Sequence, residues 1–222
     1  MSHAGTTHTE PVQILSGSAR LEGELSIPAG ATSVVLFAHG SGSSRRSPRN
    51  HRVARVIREH GIGTLLFDLL TAEEESEDLR TGRLRFDIRL LAVRLMDATR
   101  WIVASREFPD LRVAYFGAST GGGAALAAAA AVGTDIGAVV SRGGRPDLAG
   151  EALERVESPT LLIVGALNRE VIRLNQEAYA RLRCRKELNI VAGASHLFEE
   201  PGTLEQVAKL ASAWFEQHLK RA

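Results

Sequence analysis

The sequence predicts an α/β protein, a three-layer α/β/α sandwich around a mostly parallel sheet of about eight strands with an N-terminal antiparallel hairpin. Short continuous apolar runs, such as residues 34–38 (VVLFA), are typical of parallel strands covered on both faces. These runs alternate with segments of helical periodicity, which favours helices on both sides of the sheet. Because the connections are short, we expect one domain without a large cap over residues 11–222 and a disordered start over residues 1–10.

The first half of the chain begins with two short alternating segments, residues 12–15 and 19–27, which a Ser-Gly-Ser turn separates. They predict a β-hairpin. After the strand at 34–38, Ser47 and Pro48 supply an N-cap and a first-turn proline for a helix that runs to about residue 60. Further elements are expected as a strand at 64–67, a solvated acidic loop at 71–78 and a long helix at 84–104.

The second half of the chain repeats the strand–helix alternation. Apolar runs predict strands at 113–116, 136–140, 160–164 and 188–191, and helical spacing predicts helices at 124–132, 148–156, 171–182 and 204–215. The longest irregular insertion is expected at residues 69–83, so any lid over a site would be small.

A Gly-x-Ser-x-Gly string, Gly117 to Gly121, lies between a predicted strand and an alanine-rich helix. This context is what a nucleophile elbow requires, with Ser119 on a sharp and strained turn. A side chain at Gly117 or Gly121 would collide with the neighbouring strand or helix. The alternative is an ordinary tight turn. We assign Gly122 and Gly123 to close helix packing rather than to room for a substrate.

Polar residues follow four of the predicted strands, at the edge where reacting groups gather in a parallel sheet. They are the segment His39–Ser43, the elbow Ser119, Asn168 and His196. The order of elbow serine, acid position and histidine resembles the α/β-hydrolase fold, and the small lidless form resembles its dienelactone-hydrolase-like branch. The resemblance extends over residues 12–219.

This resemblance implies Ser119 as nucleophile, His196 as its base and an oxyanion hole formed by the backbone N–H groups of Ser41 and Thr120. His39 is expected to hold its loop. The family places an acid, usually aspartate, where this chain has Asn168. Three interpretations stay open. Another residue supplies the acid, Asn168 orients His196 as in Cys–His–Asn proteases, or the site is weakened by drift or deliberate substitution.

Several carboxylates are candidates for an acid supplied from elsewhere. Asp147, after the strand that precedes the Asn168 strand, is the best of them, because some members of this fold place the acid there. Glu170, Glu199 and Glu200 lie nearer in sequence to Asn168 or His196, but we expect them to face solvent.

Five arginines follow strand ends that should open on the same edge of the sheet. They are Arg45, Arg46 and Arg49 in one loop and Arg142 and Arg145 in another. We consider Arg45, Arg46, Arg142 and Arg145 as ligands for a carboxylate or phosphate on the substrate. The alternative is ion pairing with acidic residues at 73–77, or plain solvation.

Composition narrows the function classes. A formal net charge of +1 argues against a nucleic-acid partner, and no apolar run is long enough for a membrane span. A single cysteine, Cys184, excludes an intrachain disulfide and is compatible with a cytoplasmic protein. No metal-ligand cluster or dinucleotide fingerprint is present, so no cofactor is expected.

The sequence therefore predicts a serine hydrolase that cleaves small esters or lactones, some of them anionic, through an acyl-enzyme. The alternative is a hydrolase-fold scaffold, impaired or engineered, that binds ligands or is labelled at Ser119 but turns over little.

Overall fold

The structure, a computed structural model, describes residues 6–220. The strands of this part of the chain are β1 (Thr7–Ser16), β2 (Ala19–Pro28), β3 (Ser33–Ala38), β4 (Gly63–Phe67), β5 (Arg112–Ala118), β6 (Ile136–Arg142), β7 (Thr160–Gly165) and β8 (Lys186–Val191). They form one sheet in the order β1-β2-β4-β3-β5-β6-β7-β8. β1 and β2 pair antiparallel, β2 pairs antiparallel with β4, and the remaining pairs are parallel. The predicted fold class is confirmed.

The helices are α1 (Pro48–Glu59), α2 (Ala72–Thr81), α3 (Ile88–Val103), α4 (Thr120–Val132), α5 (Arg169–Arg181) and α6 (Thr203–Leu219). α1 and α6 cover one face of the sheet, while α3, α4 and α5 cover the other. Each face has its own buried apolar cluster, which explains why the central strands are apolar on both sides. Within residues 6–220, no helix combines the length and apolar character needed to cross a bilayer.

The N-terminal hairpin is longer than predicted. β1 begins at Thr7, which pairs with Pro28, so the prediction of disorder is wrong for residues 7–10. Backbone pairing with β2 orders this polar segment although its side chains at 7–9 are exposed. The predicted disorder of residues 1–5 lies outside the described residues.

The acidic segment at 71–78 forms a helix, not the predicted loop. Thr71 begins α2 with a capping box, in which its hydroxyl accepts from the Glu74 N–H and the Glu74 carboxylate accepts from the Thr71 N–H. Glu74 also pairs with buried Arg94 of α3 at 2.6 Å. The Thr-x-x-Glu spacing at residues 71–74 signals a helix N-terminus. The segment was nevertheless predicted as a loop because it has no apolar stripe.

Two other predicted helices differ from the structure. The long helix at 84–104 is divided into a 3₁₀ turn, Leu84–Phe86, and α3, because Asp87 caps α3 by accepting from the Leu90 N–H. The segment at 148–156 belongs to a 3₁₀ region, Pro146–Arg155, that kinks at Gly150, whose φ is 55°. The remaining predicted helices and strands are confirmed with small shifts at their ends.

Candidate active site

The turn between β5 and α4 has the geometry of a nucleophile elbow. Ser119 has φ 52° and ψ −121°, a left-handed conformation that is strained for a residue with a side chain. A Cβ on Gly117 would lie 2.4 Å from the carbonyl oxygen of Gly121, and a Cβ on Gly121 would lie 2.1 Å from that of Ala38. Only glycine fits at either position, which confirms the steric reason predicted for the motif.

The next two glycines allow close packing behind the elbow. A Cβ on Gly122 would lie 2.5 Å from Oγ of Ser141, and one on Gly123 would lie 2.7 Å from the carbonyl oxygen of Arg145. These contacts confirm the packing explanation for both glycines.

The sheet order places the loop after β3 beside the elbow. β3 and β5 are neighbours, with Ala38 opposite Gly117, and a Cβ on Gly40 would lie 3.0 Å from Cβ of Ser119. This is the point where the chain changes direction across the sheet, as expected for a ligand site in an α/β fold. One cleft, here called the serine cleft, is lined by Gly40, Ser41, Ser43, Ser47, Arg49, Ala118, Ser119, Arg142, His196 and Leu197.

His196 is held by Asn168. The Nδ2 atom of Asn168 lies 3.2 Å from Nδ1 of the imidazole. The Oδ1 atom of Asn168 accepts from the Val171 N–H at 3.3 Å and caps the N-terminus of α5. Because the helix cap needs the amide oxygen of Asn168 as acceptor, the NH₂ group of Asn168 faces the imidazole of His196. Nδ1 of His196 then has to accept a hydrogen bond from this NH₂ group. A neutral His196 then carries its hydrogen on Nε2, whereas a base acting through Nε2 needs a lone pair there.

The electrostatic surroundings of His196 favour its neutral form. Burial is the main cause that lowers its pKa, and the positive charges of Arg142, Arg49 and Arg145 lower it further. In a usual triad, a carboxylate on Nδ1 opposes these effects. Here the group on Nδ1 is the uncharged amide of Asn168.

The carboxylates considered as substitutes for the acid have other partners. Asp147 receives two hydrogen bonds from Arg145, at 2.9 and 2.7 Å. Glu199 pairs with Arg49 at 2.9 Å, and Glu200 accepts from the Ser195 N–H at 3.0 Å. Glu170 pairs with Arg173 on the surface of α5. The side chain placed against Nδ1 is therefore that of Asn168, at the position the resemblance implies.

The two predicted oxyanion residues contact each other. The Ser41 N–H donates to Oγ1 of Thr120 at 2.9 Å. An oxyanion bound by the Ser41 N–H would have to replace this hydroxyl as the acceptor. No sequence pattern signals this contact, because the motif specifies the backbone of Thr120 and not its side chain.

His39 joins the loops after β3 and β4. Its Nε2 accepts from the Leu69 N–H at 3.0 Å, and its Nδ1 donates to the carbonyl oxygen of Gly40 at 3.0 Å. Burial lowers its pKa, which favours the neutral ring that these two bonds require. These contacts support the structural role predicted for His39.

The predicted arginines separate into two groups. Arg45 pairs with Asp68 and Glu22, Arg145 pairs with Asp147, and exposed Arg46 lines surface depressions away from Ser119. Of the four proposed substrate ligands, only Arg142 lines the serine cleft, where Arg49 joins it.

Arg142 is a buried cation whose hydrogen-bonding capacity is only partly used. It is 6% exposed, and its Nη2 contacts Oδ1 of Asn50 at 3.3 Å. The buried Nε atoms of both Arg142 and Arg49 have no hydrogen-bond partner among the described residues. Burial and the charge of Arg49 lower the pKa of Arg142 to about 10, so it remains charged at neutral pH.

Phe198 supports Arg142 and was not predicted from the sequence. The guanidinium carbon lies 5.9 Å from the centre of the Phe198 ring. Phe198 is buried and has φ 57°, so the loop carrying His196 contains a strained, bulky residue two positions after the histidine. No residue pattern signals a left-handed phenylalanine.

Comparisons with known proteins agree with this architecture. A solved dienelactone hydrolase from Anabaena variabilis is 56% identical to the chain, with a TM-score of 0.94 and coverage of 96% of this chain and 99% of that one. Est1E from Butyrivibrio proteoclasticus shares the fold at 12% identity, with a TM-score of 0.80 and coverage of 95% and 99%. No protein-family model matches the chain.

Two curated proteins of Mycobacterium tuberculosis, from strains CDC 1551 / Oshkosh and ATCC 25618 / H37Rv, bear the name "Putative phosphoribosyl transferase". Each is 54% identical over 210 residues, which cover 95% of this chain and 46% of the relative. The chain thus spans about half the length of the curated relatives it matches.

Proposed function

Because the chain belongs to the dienelactone-hydrolase-like family of the α/β-hydrolase fold, we propose that it is a serine hydrolase that cleaves small esters or lactones. The observation that carries this proposal is the strained Ser119 at the N-terminus of α4, in the same cleft as His196. A serine hydroxyl needs a nearby base and an oxyanion site, and the cleft contains candidates for both.

The proposed reaction proceeds through an acyl-enzyme. Oγ of Ser119 attacks the carbonyl carbon, its proton passes to Nε2 of His196, and the N–H groups of Thr120 and Ser41 receive the oxyanion. Collapse breaks the bond to the leaving oxygen, which takes the proton from His196. Water then repeats the sequence and releases the acid. Since Asn168 favours hydrogen on Nε2, the ring must change tautomer before it can accept the first proton.

A second candidate function follows from that requirement. With an amide on Nδ1 of His196, acylation and deacylation are both slowed. The alternative is therefore a protein that is covalently labelled at Ser119 but turns over little substrate. The transferase activity in the name of the curated relatives has no counterpart among the residues of the serine cleft. The residues that support a function here are those of a hydrolase site, and more than half of each relative lies outside the match.

Covalent labelling at Ser119 tests the proposal. A fluorophosphonate probe is expected to label the protein, and p-nitrophenyl acetate is expected to release p-nitrophenol, with both signals lost in Ser119→Ala. Steady release supports the hydrolase, and a single burst supports the stalled alternative. Labelling that persists in Ser119→Ala would refute a nucleophilic Ser119, as would the absence of labelling in the unmodified protein.

We also propose that the serine cleft favours an anionic group on the leaving alcohol. Arg142 and Arg49 line the cleft together with His196, and both guanidinium groups have a buried Nε without a partner among the described residues. A guanidinium group suits carboxylate and phosphate oxygens. The favoured substrates are therefore esters whose alcohol portion carries a negative charge.

Neutralising Arg142 tests this preference. Arg142→Gln is expected to lower the ratio of kcat/KM for 4-acetoxybenzoate to that for its methyl ester about tenfold, because a hydrogen bond to a charged group contributes about 1.5–3 kcal/mol. Arg46→Gln, at an exposed position outside the cleft, serves as the control and should leave the ratio unchanged. Equal losses on both esters in Arg142→Gln would exclude an anion site at this residue.

A further inference from the structure

A second cavity borders the oxyanion loop. We call it the leucine cavity. Its apolar lining consists of Leu69, Leu70, Leu79 and Leu91. It shares Gly40, Ser41 and Ser43 with the serine cleft, and it also reaches Thr120, the residue after the elbow serine. His196 and Arg142 line the serine cleft but not the leucine cavity. The two spaces therefore meet at the predicted oxyanion site and differ in chemistry.

Helix α2 and the turn after it form part of the wall of the leucine cavity. The carboxylate of Asp78 accepts from the Leu84 N–H at 2.6 Å and pairs with the side chain of Arg85. Together with the pair between Glu74 and Arg94, these contacts hold the short helix against the turn that follows it and against α3. Leu79 is the apolar residue that α2 contributes to the cavity wall, and it is 73% exposed.

The proposed mechanism requires the acyl and alcohol portions of an ester to extend in different directions from Ser119. The leaving oxygen must face His196, because that residue returns the proton to it. The carbonyl oxygen must face the N–H groups of Ser41 and Thr120. The acyl substituent then extends away from His196, and the cavity that touches Ser41 and Thr120 without touching His196 is the leucine cavity.

We propose that the leucine cavity binds the acyl portion of the substrate, as an uncharged aliphatic group of a few carbons. The inference rests on the proposed hydrolase function and assigns its substrate class. Four leucines supply apolar contact. Asp68, Glu75, Asp78 and Arg85 also line the cavity, and Asp68 pairs with Arg45 while Asp78 pairs with Arg85. The arginine of the lining is therefore already paired and offers no site for an anionic acyl group. The substrate is therefore an ester of a short apolar acid, with any negative charge on its alcohol side.

Acyl selectivity measured at Leu79 tests the inference. First-turnover release of p-nitrophenol is measured, so that slow deacylation does not matter. The butanoate ester is expected to acylate the protein about fifteenfold faster than the acetate ester, because it adds two methylenes and each buried methylene contributes about fourfold. Leu79→Glu should reduce this ratio at least about threefold. Leu15→Glu, on β1 and 62% exposed, is the matched control that should not change it.

The outcomes separate the inference from the function on which it rests. A ratio of one or less in the unmodified protein overturns the acyl assignment, and so does an equal change in Leu79→Glu and Leu15→Glu. Both variants alter exposed side chains, so loss of folding is not expected to obscure the ratio. Release that does not depend on Ser119 would instead overturn the proposed function together with the inference.

Discussion

Asn168→Asp is expected to raise kcat/KM for p-nitrophenyl acetate about 10³-fold, which approaches a reversal of the roughly 10⁴-fold loss that the opposite change causes in a serine protease triad. The structure gives the reason. One carboxylate oxygen can keep the cap on the Val171 N–H, where aspartate and asparagine serve equally well. The other oxygen then faces Nδ1 of His196 and accepts its hydrogen. Nε2 is left with the lone pair that a base needs, and the imidazolium formed in the reaction gains a counter-charge.

The pH profile distinguishes this mechanism from a simple gain in stability. In the unmodified chain, burial and three arginines lower the pKa of His196, so the neutral ring persists below the ordinary pKa of about 6.5. Activity should therefore fall only as the pH drops through that lowered value. A carboxylate at position 168 raises the pKa of His196, so the acid limb of the profile should move to higher pH in the variant.

Two further variants complete the test of position 168. Asn168→Ala removes the cap and the amide that favours hydrogen on Nε2, but it adds no counter-charge for the imidazolium, so any gain in rate should stay far below that of Asn168→Asp. Asp147→Asn removes the charge that pairs with Arg145 and should change the rate only slightly. An unchanged rate in Asn168→Asp, combined with loss of activity in Asp147→Asn, would show that Asp147 supplies the acid.

The fold was predictable because its signals are local and agree with one another. Continuous apolar strands, helix caps and the Gly-x-Ser-x-Gly turn each specify one element, and the parallel topology then places Ser119, Asn168 and His196 at one edge. α2 was missed because its polar sequence forms a helix through a capping box and ion pairs rather than an apolar stripe.

The roles of the arginines were only partly predictable, because a position near one sheet edge does not determine which group a long side chain contacts. Arg45 and Arg145 turn to nearby carboxylates, whereas Arg142 is buried beside the elbow. The orientation of the Asn168 amide was likewise beyond the sequence. It depends on the helix cap at the Val171 N–H, which assigns the oxygen to the backbone and the NH₂ group to His196.

Gly121→Ala is expected to lower the free energy of unfolding by at least about 3 kcal/mol, at the upper end of the usual cost of overpacking. The added Cβ would lie 2.1 Å from the carbonyl oxygen of Ala38 and 2.6 Å from that of His39. Both are backbone atoms at the end of a central strand, so no side-chain rotation can relieve the collision. α4 would have to move away from β3, and Ser119 would move with it relative to the oxyanion loop.

Gly137→Ala in β6 is the matched control for this steric argument. Its added Cβ would lie 2.6 Å from Cδ2 of Leu219 and 2.7 Å from Nε of Arg112, which are side-chain rather than backbone atoms. Side-chain atoms can shift where backbone atoms cannot, so we expect a smaller loss than in Gly121→Ala, about 1 kcal/mol. Urea unfolding of both variants, compared at equal m-values, measures the difference. Equal midpoints would mean that the elbow tolerates a side chain at residue 121 and that the close approach of α4 to β3 does not constrain the site. A large difference, accompanied by slower fluorophosphonate labelling in Gly121→Ala, would link the packing of this helix to the reactivity of Ser119.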